Sequence, residues 1–225
     1  LPFFLFSARS GYYADQVEKS QWIQKIKLLE IAIMFFGVLC LWFDWLWGLM
    51  VLLFLMGTQS TLFGPVKFSI IPQHVSAEDL TSANAWVELG TFLAILFGNL
   101  LAGLVFELSQ PKLIVSLFLI CLACAGYGAS RKIPKAPSLV PEGAKPIKLS
   151  TLELIRSAMQ QRSLFLSMLG VSWFWFLGSA YLTQLPVFTS QYLSSSESVI
   201  ALFLVAFSIG VGLGSMLCSL LSCGK

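Results

Sequence analysis

The chain has 225 residues, 57% apolar and 11% charged, where an average soluble domain has roughly 45–50% and about 25%. Mean hydropathy is +0.82. Fourteen Lys/Arg against eleven Asp/Glu, a net charge of +3, cannot coat a soluble globule of this size; a soluble enzyme, a disordered chain and a nucleic-acid binder are excluded, and the chain reads as an integral membrane protein.

Crossing a bilayer as a helix takes about 20 apolar residues. Leu1–Phe6 is apolar but too short, and 7–24 follows as a polar first loop. Spans are then predicted at 25–43, 46–65, 83–106, 112–130, 163–187 and 198–221. Only Asp44 interrupts the apolar run between the first two, which predicts a tight hairpin. The runs lack the period of two that strands show, so the fold class is all-α: a polytopic transmembrane helical bundle with about six complete spans. Between the fourth and fifth spans, Pro134, Pro137, Pro141 and Pro146 predict an extended segment. Ser150 then caps an amphipathic stretch, Thr151–Arg162, with Leu152, Ile155 and Met159 on one face, expected to lie on the membrane surface. The expected division is 1–130, a basic linker 131–162, and 163–225.

Lys and Arg set orientation. With 7–24 cytoplasmic and the sides alternating, Arg9, Lys19, Lys25, Lys27, Lys67, Arg131, Lys132, Lys135, Lys145, Lys148, Arg156, Arg162 and Lys225 fall inside, and only Lys112 falls outside. The linker 131–162 is then cytoplasmic too.

Ionisable groups inside a bilayer cost several kcal/mol unless paired or hydrated, so they are functional candidates. Lys27 and Glu30, three apart, share a helix face and are placed to pair. Lys67 follows Gly64-Pro65 at the inner end of the second span. Glu88 lies one turn beyond Asn84 in the third, at a depth similar to Lys67. Small residues every four positions, at Ala94, Gly98 and Ala102 and at Gly210, Gly214 and Cys218, predict close helix packing. Trp22, Trp42, Trp45, Trp47 and Trp86 sit near predicted interfaces, whereas Trp173 and Trp175 lie deep in their span near Tyr181 and Gln184. Cys121 and Cys124 read as packing residues; no metal-ligand cluster and no cofactor is expected.

The segment Gly11-Tyr12-Tyr13-Ala14-Asp15-Gln16-Val17-Glu18-Lys19 resembles the signature loop of the major facilitator superfamily, Gly-x-Leu-Ala-Asp-Arg/Lys-x-Gly-Arg/Lys. Gly11, Ala14, Asp15 and Lys19 match; Tyr13, Gln16 and Glu18 depart, Glu18 replacing the turn glycine. The resemblance makes the six spans helices three to eight of that fold, with the basic linker joining its halves. A narrower resemblance, to the lysophospholipid transporter branch, rests on Gly64-Pro65-Val66-Lys67-Phe68-Ser69-Ile70-Ile71-Pro72-Gln73-His74 and Ala83-Asn84-Ala85-Trp86-Val87-Glu88. That branch includes transporters fused to a glycerophospholipid acyltransferase.

The resemblance implies alternating-access import of lysophospholipid across the bacterial inner membrane for re-acylation, with a fused or separate acyltransferase as partner. It makes Lys67, Asn84 and Glu88 motif residues, places Gly11, Asp15 and Lys19 in a cytoplasmic gate, and makes the stripes at Gly98, Gly210 and Gly214 a sliding contact between halves. With no initiator Met and an abrupt end at Lys225, the chain is expected to be part of a longer protein. The alternatives are a proton-coupled exporter of small molecules, with Glu30 or Glu88 carrying the proton, and an acyltransferase. For the latter, His74 and Asp79 have the His-x4-Asp spacing of glycerolipid acyltransferases and Pro141-Glu142-Gly143 resembles part of their phosphate site, but two apolar spans separate the segments.

Overall fold

The computed structural model describes residues 2–106, 110–138, 140, 151–191 and 197–221. Among these the regular elements are helices: α1 (Pro2–Gln16), α2 (Lys19–Trp42), α3 (Leu46–Ser69), a 3-10 turn (Ile71–Gln73), α4 (Leu80–Phe106), α5 (Pro111–Ser130), α6 (Thr151–Gln160), α7 (Arg162–Gln191) and α8 (Glu197–Leu221). Leu46–Gln73, Leu80–Leu101, Pro111–Ser130 and Arg162–Thr189 are long and apolar enough to cross a membrane, and Leu202–Cys218 is a shorter apolar helix. α2 also has a span's length, 24 residues, but carries Lys19, Lys25, Lys27 and Glu30 in its first half.

The expected first loop, 7–24, is corrected. α1 runs on to Gln16 and α2 starts at Lys19, so Gly11, Asp15 and Lys19 lie on helices. The reason is packing against α3: Ser10 and Ala14, four apart on α1, are both buried. Pro65, inside α3, has no N–H to give the Thr61 carbonyl one turn back. Ser10 Oγ donates to that carbonyl instead, at 2.7 Å.

Glu18 is the N-cap of α2, and its carboxylate accepts from the N–H groups of Ser20 (3.2 Å) and Gln21 (2.7 Å). The hairpin forms where Asp44 interrupts the apolar run. Its φ of 48° is the left-handed conformation that Asp tolerates better than most residues. The Asp44 carboxylate meets Lys112 Nζ at 2.5 Å, tying the α2–α3 hairpin to the start of α5.

Contacts divide the chain into two units, residues 1–84 with 102–146 and residues 85–101 with 147–225. In the first, α3 packs on α1 and α2, and α2 packs on α5. Its core includes Ile23, Ile26, Ile33, Met34, Cys40 and Val66. In the second, α7 contacts α6 and α8. Phe92 of α4 collects Phe174, Trp175 and Phe207 with ring centroids 6.0–6.2 Å apart, so Trp175 packs on an aromatic cluster. Trp173 is exposed, as are Val171 and Phe176 on the same helix.

Candidate functional site

The candidate site with the most developed side-chain geometry lies on the facing surfaces of α2 and α3. Lys27 and Glu30, one turn apart on α2, form the expected pair, Nζ to Oε2 2.8 Å. The same Oε2 accepts from Gln59 Nε2 of α3 at 2.7 Å. Lys27 Nζ also lies 5.0 Å from the centroid of the Phe63 ring, one turn further along α3. On the α5 side Gly126 leaves room for the lysine stem: a Cβ there would sit 3.5 Å from Nζ.

Beside the pair is a cavity of about 120 Å³ lined by Glu30, Ile33, Met34, Met56 and Gln59. One wall carries a carboxylate and an amide, and the rest is isoleucine and two flexible thioethers. Such a pocket takes a polar group at one end and adaptable apolar chain at the other. Gln59 and Phe63 did not stand out in the sequence. The signal available was an amide inside an apolar run, which is costly in lipid unless bonded.

Lys67 is half-buried in the last turn of α3, with Nζ 4.5 Å from the Phe68 ring centroid. Asn84 turns its amide back onto the Leu80 carbonyl at 2.8 Å. Glu88 is half-buried, and its Oε2 is shielded with no hydrogen-bond partner among the described residues. Lys67 and Asn84 belong to the first unit and Glu88 to the second, so each is described in its own surroundings.

Of the gate residues, Gly11 is half-buried on α1 and Asp15 is exposed near its end. Lys19 is fully buried, its Nζ without a hydrogen-bond partner among the described residues.

Close helix approach is the expectation at Gly98, Gly210 and Gly214. Among the described residues a Cβ at any of the three would meet nothing within 4 Å, whereas one at Gly212 would lie 2.6 Å from Leu89 Cδ1. The buried small stripe on α8 is Ser208 and Gly212, also four apart. Leu89 of α4 is the neighbour that lies against it at Gly212.

His74 is exposed in a turn, and Asp79 bonds Ser76 Oγ at 2.7 Å, closing the turn that starts α4. Cys121 and Cys124 are exposed on α5. The expectations for Pro141, Glu142, Gly143, Lys145, Pro146, Lys148, Ser150 and Lys225 lie outside the described residues.

Compared with known proteins, residues 21–225 match the family profile described as Major Facilitator Superfamily. Curated relatives include proteins named lysophospholipid transporter LplT. Those of Klebsiella pneumoniae subsp. pneumoniae and Escherichia fergusonii are 24% and 26% identical over 221 residues, and that of Enterobacter sp. strain 638 is 25% identical over 223. Each alignment covers 95% of this chain and 53% of the relative, so the chain spans about half the length of the curated relatives it matches. No solved structure matches the chain.

Proposed function

The chain belongs to the major facilitator superfamily, and on that premise we propose that it is part of a secondary transporter that moves lysophospholipid across the bacterial inner membrane for re-acylation. The observation that carries this reading is Glu30, held between Lys27 and Gln59 at the edge of a cavity otherwise lined by Ile33, Met34 and Met56. A lysophospholipid joins a charged head group to one acyl tail. It needs charge and apolar wall within a few ångströms of each other, and the relatives' names point to the same cargo.

In this reading Lys67 meets the phosphate as a point charge, and Asn84 and Glu88 are further polar residues that serve transport. The two halves rock in alternating access. The α1–α2 junction and the start of the linker, which touch at one end of the first unit, face the cytoplasm as their positive charge requires. The acylation step belongs to a separate or fused acyltransferase.

A second reading, a proton-coupled exporter, is favoured by the shielded Glu88 Oε2, a carboxylate oxygen in a candidate span with no hydrogen-bond partner among the described residues. Reconstituting the gene product that contains this chain in liposomes, and following labelled lysophosphatidylethanolamine with and without a proton gradient, separates the two. Gradient-independent movement that Lys67→Ala or Glu88→Ala abolishes supports the lipid reading. Absence of lipid movement, with gradient-driven efflux of small molecules, overturns it in favour of the exporter.

A further inference from the structure

Beyond α5 the backbone runs through two prolines, Pro134 and Pro137, that have no N–H to donate. It nevertheless docks firmly on the α1–α2 junction. Ala136, fully buried, uses both of its polar backbone groups there. Its N–H donates to Glu18 Oε1 at 2.7 Å, and its carbonyl accepts from the Lys19 N–H at 2.9 Å. One residue on, the Pro137 carbonyl accepts from Gln73 Nε2 at 3.4 Å. One further, Ser138 Oγ donates to the Asp15 carbonyl at 2.9 Å.

The first N–H groups of α2 are thus shared out: that of Lys19 goes to the linker, and those of Ser20 and Gln21 go to Glu18. A helix start leaves such donors unsatisfied unless something accepts from them. Here the linker acts as a second cap, and Glu18 is the residue common to both.

We propose that Glu18 is a positioning residue that clasps the start of the linker to the α1–α2 junction, so that the chain beyond α5 is anchored there through Ala136–Ser138 rather than by the end of α5 alone. A pull on the linker is then delivered to the turn between α1 and α2, not to α5. A glycine at position 18 would turn the chain but would have no carboxylate to reach Ala136. This inference is independent of what the protein carries.

Serine separates the two jobs of Glu18, because it caps a helix well but is too short to reach Ala136. Hydrogen exchange resolved to single residues, on the gene product in lipid nanodiscs, is the test. In Glu18→Ser the Ala136 amide is expected to exchange about tenfold faster or more, as befits loss of a hydrogen bond to a charged acceptor. The amides of Ile23 and Ile26 are expected to stay as protected as before. Tryptic cleavage after Lys132 and Lys135, both exposed, should quicken in step. Unchanged exchange at Ala136, or equal loss of protection along α2, overturns the proposal. Ser138→Ala, which removes a clasp bond without touching the α2 cap, gives the same reading should Glu18→Ser not fold: faster cleavage supports it and unchanged cleavage overturns it.

Discussion

Gln59 donates its side-chain amide to Glu30 at 2.7 Å across the α2–α3 contact, on the same oxygen that holds Lys27 at 2.8 Å. The carboxylate is about four-fifths buried, so each donor offsets part of its desolvation. Gln59→Leu removes one and should lower stability by about 1–3 kcal/mol. In a Glu30→Gln background the loss should shrink, because the acceptor is no longer charged. Unfolding midpoints of the four proteins in micelles test this. Strict additivity would mean that the two side chains do not share the charge.

Glu18 makes folding sensitive to acid. Burial pushes its carboxyl up, but hydrogen bonds from the Ala136 N–H, the Ser20 hydroxyl and the N–H groups of Gln21 and Ser20 outweigh that and hold it below its ordinary value. A folded-state pKa below the unfolded one means that the ionised form favours the fold. The contribution is complete above the unfolded value, about 4.3, and is lost as pH falls through the lower folded value. The stability gap between the protein and Glu18→Gln should therefore be flat near neutrality and close in acid below that window. A gap that stays constant into acid would contradict the assignment.

What was legible in the sequence is what is local. The lengths of the apolar runs located the helices, the three-residue spacing of Lys27 and Glu30 foretold their pairing, and Asp44 foretold the hairpin. What was hidden depends on a partner far along the chain. Ser10, midway along α1, reaches the Thr61 carbonyl that Pro65 leaves free, 51 residues later. Glu18 reads as a defect in a motif until Ala136, 118 residues away, arrives beside it. The glycine stripes show the same limit: α8 has small residues at four-residue spacing on more than one face, and the Leu89 side chain that lies against Gly212 comes from α4, more than a hundred residues earlier.

Glycines on the two sides of that distinction should respond with opposite signs. A Cβ at Gly48 would lie 2.5 Å from Cys40 Sγ and 2.6 Å from Cε3 of the rigid Trp45 indole. Gly48→Ala should cost about 1–3 kcal/mol by overpacking. A Cβ at Gly210 meets nothing within 4 Å among the described residues, and Gly210→Ala should gain up to about 0.5–1 kcal/mol from helix propensity. Thermal unfolding of the two variants, measured side by side, checks the signs. A loss at Gly210 would show a neighbour that packs there in the membrane.

The Lys27–Glu30 pair has to be shown to serve transport rather than folding alone, and the two roles give different patterns. Lys27→Met leaves a mostly buried carboxylate with only Gln59 as donor. For a fully buried pair the penalty for removing one partner is about 3–5 kcal/mol; here, with both side chains about one-fifth exposed, it should be smaller but still enough to lower folded yield. Lys27→Met combined with Glu30→Gln removes the stranded charge, so folded yield should recover. Lysophosphatidylethanolamine movement should not recover if the pair binds the head group, since both charges are gone. Recovery of yield and movement together would make the pair a structural strut and leave Lys67 and Glu88 as the residues that meet the lipid.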